Sequence, residues 1–133
     1  MAGDDIAVIR RLMEAFNDRD VERMVELTHP DGEVYPMRAQ LEGTSYRGHD
    51  GIRQMMDDLF EDWESVEMDS EEFREGPDGT AVLGRLRGCG RASGVDVDVP
   101  VGWVWRIRDG KAVYAKAFSQ QEDALREAGI EPA

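Results

Sequence analysis

Glu33 and Tyr35 lie two residues apart in the extended-looking segment Glu33-Val34-Tyr35-Pro36-Met37, so strand geometry sends their side chains, with that of Met37, to one face. A carboxylate in an apolar interior loses hydration, its pKa rises, and it can then act as a general base next to a carbonyl. The competing reading of Glu33 is a solvated rim residue. Tyr35, with an ordinary phenol pKa near ~10, is a poor base at neutral pH and a serviceable hydrogen-bond donor, or else a strand tyrosine with a tethered hydroxyl. These two are the expected catalytic residues.

Other reactive types do not assemble. His29 and His49 have no regular spacing to each other or to an acid, so no metal site is expected, and His49 beside Asp50 reads as a polar residue at a helix start. No nucleophile elbow, phosphate-cradling glycine loop or dinucleotide fingerprint is present, and no cofactor is expected. The single cysteine, Cys89, excludes an internal disulfide and suits a reducing cytoplasm.

Large apolar side chains repeat around the Glu33 segment. Trp103, Trp105 and Ile107 alternate with Gly102, Val104 and Arg106, and Val97, Val99 and Val101 share the tryptophans' parity. Such a face either fills a core or lines a cavity able to hold a flat apolar ligand. The expected lining is Leu12 and Phe16 from a first helix, Met37, then Met56, Phe60 and Trp63 from a later helix, with Trp103 and Trp105.

The elements that must position these residues can be read from periodicity. Ile6, Ile9, Leu12, Met13 and Phe16 form the stripe of an amphipathic helix ending near Asn17. Asp20 is a suitable N-cap for a short second helix through Val21, Met24 and Val25, stopped before Pro30. After an Asp31-Gly32 turn comes the short strand, with Pro36 at an edge or a break. Residues 38–48 read as loop. A third helix from Asp50 carries Ile52, Met55, Met56, Leu59, Phe60 and Trp63 on one face. The period then becomes two: strands over Val66–Glu75, Thr80–Arg91 and Val95–Arg108 are followed by a last strand after the Asp109-Gly110 turn and a helical tail. Val66 and Met68 have one parity and Phe73 the other, which predicts either a bulge or a solvent-facing side. Four strands joined by short turns read as an antiparallel meander with the helices packed on it.

A chain of 133 residues fits one domain, residues 1–133, burying roughly two-thirds of its unfolded surface. Acids outnumber bases 29 to 16, a formal charge of −13, which argues against nucleic acid or anionic membranes as partners. No apolar run approaches the ~18 residues of a membrane helix, and the first residues lack the form of a signal peptide. Arg85, Arg87 and Arg91 fit cross-strand pairs with Asp96, Asp98 or Glu72, or an acidic face on a second copy.

Ile9-Arg10-Arg11-Leu12-Met13-Glu14-Ala15-Phe16-Asn17-Asp18-Arg19-Asp20, the His29-Pro30-Asp31-Gly32-Glu33 turn, Tyr46-Arg47-Gly48-His49-Asp50-Gly51-Ile52, the run from Trp105 to Lys111 and that from Ala124 to Ile130 carry a family likeness. Over nearly its whole length the chain resembles the SnoaL-like branch of the nuclear transport factor 2-like superfamily. The resemblance implies an α+β cone: a strongly curved, mostly antiparallel sheet wrapped around the first and third helices, with a pocket in its open end. It also implies a homodimer formed through the outer sheet face. The superfamily hosts isomerases, cyclases, dehydratases, epoxide hydrolases and non-enzymatic binders, so the fold alone does not choose among them. In the steroid isomerases of this type a strand carboxylate, a helix tyrosine and a protonated carboxyl do the work, and the matching places here hold Tyr35, Leu12 and Trp103. Where relatives commonly place an acid after the last strand, this chain has Gln120. Classical steroid isomerase activity is therefore not expected. The expected function is binding of an apolar small molecule, with cyclisation or isomerisation of a carbonyl compound by acid–base chemistry; the alternative is a non-catalytic binder or homodimeric scaffold.

Overall fold

A computed structural model describes residues 2–131. Helices α1 (Ala2–Asn17) and α2 (Val21–Glu26) form a hairpin whose apolar stripe, including Ile9, Leu12, Met13 and Phe16, is buried. The chain reverses at Arg19, which takes a left-handed φ of 55°, and the Asp20 carboxylate accepts the N–H of Arg23 at 3.2 Å, capping α2 as expected.

The remaining elements are β1 (Thr28–Tyr35), α3 (Met37–Leu41), β2 (Tyr46–Arg47), α4 (Gly48–Asp62), β3 (Trp63–Gly76), β4 (Gly79–Gly90), β5 (Asp96–Arg108), β6 (Lys111–Phe118) and α5 (Gln121–Glu127). They build one six-stranded sheet in the order β2-β1-β6-β5-β4-β3. Strands β3 to β6 form the expected antiparallel meander, while β1 joins β6 in parallel. The architecture is α+β, a curved, mostly antiparallel sheet around the N-terminal helices.

Four local readings change. Asp31 and Gly32, expected as a turn before the strand, lie inside β1, whose pairing with β6 is irregular between Thr28 and Glu33. The stretch expected to be loop contains α3 and β2; Pro36, lacking an N–H and fixed at φ −65°, ends β1 and opens α3. Met37 therefore belongs to a helix and not to the strand of Glu33. Trp63 continues the spacing of the α4 stripe but has strand dihedrals and starts β3, so the helix stops at Asp62.

Of the two readings that parity left open, the bulge is found, between Ser70 and Glu72, returning Phe73 to the buried side occupied by Val66 and Met68. Facing it, Gly84 lies so close to β3 that a Cβ would stand 1.8 Å from the Asp69 carbonyl oxygen.

Register sorts the sheet into two faces. The concave face carries Val82, Val101, Trp103, Trp105, Ala115 and Ala117, packed toward α1 and α4. The convex face carries Ala81, Leu83, Val104, Tyr114 and Phe118, and its apolar patch is covered by Ala124, Leu125 and Ala128. Gly102 permits that contact, because a Cβ on it would lie 2.6 Å from the Cβ of Ala124. Farther out on β5, Val99 shares the tryptophans' parity yet is 41% exposed. Of the predicted arginine pairs, Arg85 and Arg87 both meet Asp98, at 2.6 and 3.6 Å, and Arg87 also meets Asp69 at 2.5 Å.

Candidate functional site

Between the concave face and helices α1, α3 and α4 lies a cavity of about 750 Å³. That size falls within the few hundred to ~1,000 Å³ of small-molecule sites. Its space follows from a size mismatch across the β5–β6 ladder, where Trp103 is paired with Ala117 and Trp105 with Ala115. An indole opposite a methyl group leaves a gap that larger residues on β6 would fill.

Leu12 and Phe16 border the cavity from α1, Met37 from α3, Ile52, Met55 and Leu59 from α4, and Trp63, Trp103 and Trp105 from the sheet. Of the expected lining, Met56 and Phe60 are not brought there. Met56 is 3% exposed within the packed core, and Phe60 carries the Arg19 guanidinium 3.7 Å above its ring. The α4 stripe is wider than the cavity wall, and Met55 and Leu59 occupy the side that faces it. Their presence in the same apolar stripe was the only signal for them; Ala115 and Ala117 carried none.

Glu33 and Tyr35 do come together, but on the other side of the sheet. Glu33 is in register with Tyr114 and Tyr35 with Lys116, whereas Val34 pairs with Ala115 on the concave face. Partners in register share a face, so the two catalytic candidates, although both are among the residues bordering the cavity, direct their side chains to the face that carries Tyr114. There the Tyr35 hydroxyl donates to Glu33 Oε2 at 2.5 Å, Arg47 bridges Glu33 Oε1, and the Tyr35 and Tyr114 rings lie 5.6 Å apart. The hydrogen bond to Glu33, helped by burial, raises the pKa of Tyr35, so this phenol stays protonated. Tyr114 is raised further, by burial and by its own hydrogen bond to Glu127 on α5. Strand parity correctly grouped Glu33 with Tyr35; which face that parity meets is decided by β6, a strand far away in sequence.

The interior is accordingly apolar and rich in indole. Its lining also includes Arg38 of α3, paired with Asp62 at the end of α4, and Leu41 and Val95, which stand 89% and 58% exposed. Deeper, the Thr28 hydroxyl is spent on the Met24 carbonyl at 2.7 Å, and the Thr28 carbonyl meets His49 Nε2 at 2.8 Å. Among the described residues no cluster of three His, Cys, Asp or Glu could hold a metal ion, and no helix is long and apolar enough to cross a membrane. What this arrangement can do is bury and stack a flat apolar body.

Comparison with solved structures finds the same fold. A nuclear transport factor 2-like protein of unknown function from Burkholderia pseudomallei superposes with a TM-score of 0.78 at 21% identity, covering 94% of this chain and 97% of that one. TerC, co-crystallised with polyporic acid, gives 0.78 at 22% identity over 95% and 98% of the two chains. A protein labelled a SnoaL-like polyketide cyclase from Jannaschia gives 0.74 at 18% identity over 98% and 94%. No curated protein gives a significant match. The profile of the SnoaL-like domain covers residues 9–115, and with the curved sheet and its hollow this chain belongs to the SnoaL-like family of the nuclear transport factor 2-like superfamily.

Proposed function

We propose that this chain binds a small, flat, mostly apolar molecule inside the cone. The single observation carrying the reading is the 750 Å³ cavity walled by Trp63, Trp103 and Trp105, because burial against indole rings supplies both affinity and a preference for planar shapes. TerC, a protein of the same fold, was co-crystallised with polyporic acid, which supports the reading. A second copy of the chain is part of it, as is a cytoplasmic setting that suits the lone Cys89.

Turnover of an apolar carbonyl compound by cyclisation or isomerisation is the second reading, supported by the likeness to a protein labelled a polyketide cyclase. It needs Glu33 and Tyr35 to reach substrate, and although both border the cavity, their register with β6 turns the side chains toward the opposite face. Binding without turnover is therefore the better supported of the two.

Titration with 2-ethylnaphthalene, read by intrinsic tryptophan fluorescence, tests the proposal. The expected result is saturable quenching in the wild-type protein and an affinity lower by about tenfold or more in Ala117→Phe, whose ring fills the space opposite Trp103. Quenching that does not saturate, or equal affinity in a well-folded Ala117→Phe protein, overturns it.

A further inference from the structure

Among the described residues, the large apolar side chains that stand exposed are Leu41, Val95 and Val99. Exposed apolar residues scattered singly are ordinary, but these are gathered in one place. Leu41 and Val95 border the cavity, and Val99 is in register with Leu86, which borders it too. A side chain that lines a cavity and is also open to solvent marks where the cavity opens, so Leu41 of α3 and Val95 of the β4–β5 turn stand on its rim. Neither is loosely held. Gln40 pins α3 by donating to the carbonyls of Tyr35 and Ala117 at 2.9 and 2.8 Å. Val95 donates its N–H to Ser93 Oγ at 3.2 Å, and its carbonyl accepts the N–H of Gly90 at 3.0 Å.

We infer that Leu41 and Val95 determine which molecules bind: the ligand reaches from the indoles of Trp103 and Trp105 to the rim and is itself what covers these two side chains. The inference rests on the binding proposal above and narrows it to a chemical class, an elongated, uncharged molecule that is apolar to its outer end. Size supports the length, since a cavity of about 150 Å³ is enough to hold benzene and this one measures about 750 Å³. The polar side chains that border the opening are already engaged: Arg38 pairs with Asp62, Arg87 with Asp69, and Ser93 accepts from Val95. A charged head at the rim has to compete with those pairs, whereas an apolar end gains by taking Leu41 and Val95 out of water.

The test compares 2-ethylnaphthalene, a short probe, with diphenylhexatriene, a long, flat and uncharged one, on the wild type, Leu41→Gln and the double variant Leu41→Gln/Val95→Thr. Loss of one leucine's share of covered apolar surface predicts an affinity for the long probe lower by about fivefold or more in Leu41→Gln, and lower again in the double variant, with affinity for the short probe held within about twofold. The thermal midpoint should not move, because both side chains are exposed in the free chain. Independently of any variant, nuclear Overhauser contacts should join the Leu41 methyl protons of the wild type to the long probe. If neither probe binds the wild type, the cavity proposal itself fails. If only the short probe binds, if the variants weaken both probes alike or neither, or if no such contact to Leu41 is seen, the rim assignment fails and the cavity proposal stands. A lower mass of the double variant than of the wild type at sedimentation equilibrium would show that a second copy covers the rim, and would overturn the assignment as well.

Discussion

Tyr46 shows at the residue scale how one hydroxyl ties two elements together. It donates to Asp58 Oδ2 at 2.6 Å while Gln54 donates to Oδ1 at 2.7 Å, linking β2 to the exposed side of α4. The hydrogen bonds from Tyr46 and then Gln54 hold the Asp58 carboxyl below its ordinary range, and the same contact pushes the Tyr46 phenol up to about 12. A depressed carboxylate contributes stability that is present above the unfolded-state value of ~3.9 and fades as pH falls through the folded one. A raised phenol contributes stability that is complete below ~10 and fades as pH rises through its folded value. Tyr46→Phe should therefore be less stable than the wild type by a constant margin from pH 5 to 9. That margin should shrink at both extremes, as measured by urea denaturation across pH. A margin unchanged at pH 2 would show that packing, not the hydrogen bond, sets it.

Helix α5 belongs to the scale of elements. It has only seven residues, and Gln120 at its N-cap makes no side-chain capping bond, so docking and not intrinsic propensity must hold it. Docking depends on Gly102, above which Ala124 sits with no room for another methyl group. Gly102→Ala should cost about 1–3 kcal/mol through overpacking, seen as a lower midpoint in chemical denaturation. Limited proteolysis should then cut faster near residues 119–121. Unaltered stability and cleavage would mean that α5 shifts freely, and with it the register of Tyr114 and Glu127. The Ser70 bulge acts on the same scale: one extra residue returns Phe73 to the buried side and brings β3 close over Gly84.

For the whole molecule, charge and assembly set behaviour. A net charge of −13 on one small chain is self-repulsive, so the thermal midpoint should rise when salt is increased from about 20 to 500 mM, as screening weakens repulsion among acids more than it weakens the surface ion pairs. A midpoint that falls with salt would show that pairs such as Arg85–Asp98 outweigh the repulsion. The proposed second copy is checked by sedimentation equilibrium, where twice the chain mass is expected at micromolar concentration. A single-chain mass there would remove the homodimer from the functional reading.

Sequence by itself determined the elements and their order to a large extent, because amphipathic stripes, caps and strand parity act over neighbouring residues. The α1 stripe, the Asp20 cap and the meander were all legible on those grounds, whereas the parity change before Phe73 left a bulge and a solvent-facing side open until pairing with β4 decided for the bulge. So was the inward aim of Trp103 and Trp105, since a long apolar alternation has one sensible place to go. Tertiary structure alone decided which way Glu33 and Tyr35 point. Parity groups side chains on a strand without naming the face, and the parallel pairing of β1 with β6 turned both outward. The hollow likewise arose from pairing, as Ala115 and Ala117 became spacers only when placed beside two indoles. No local pattern carries that information, because the empty volume belongs to residues brought together by the fold.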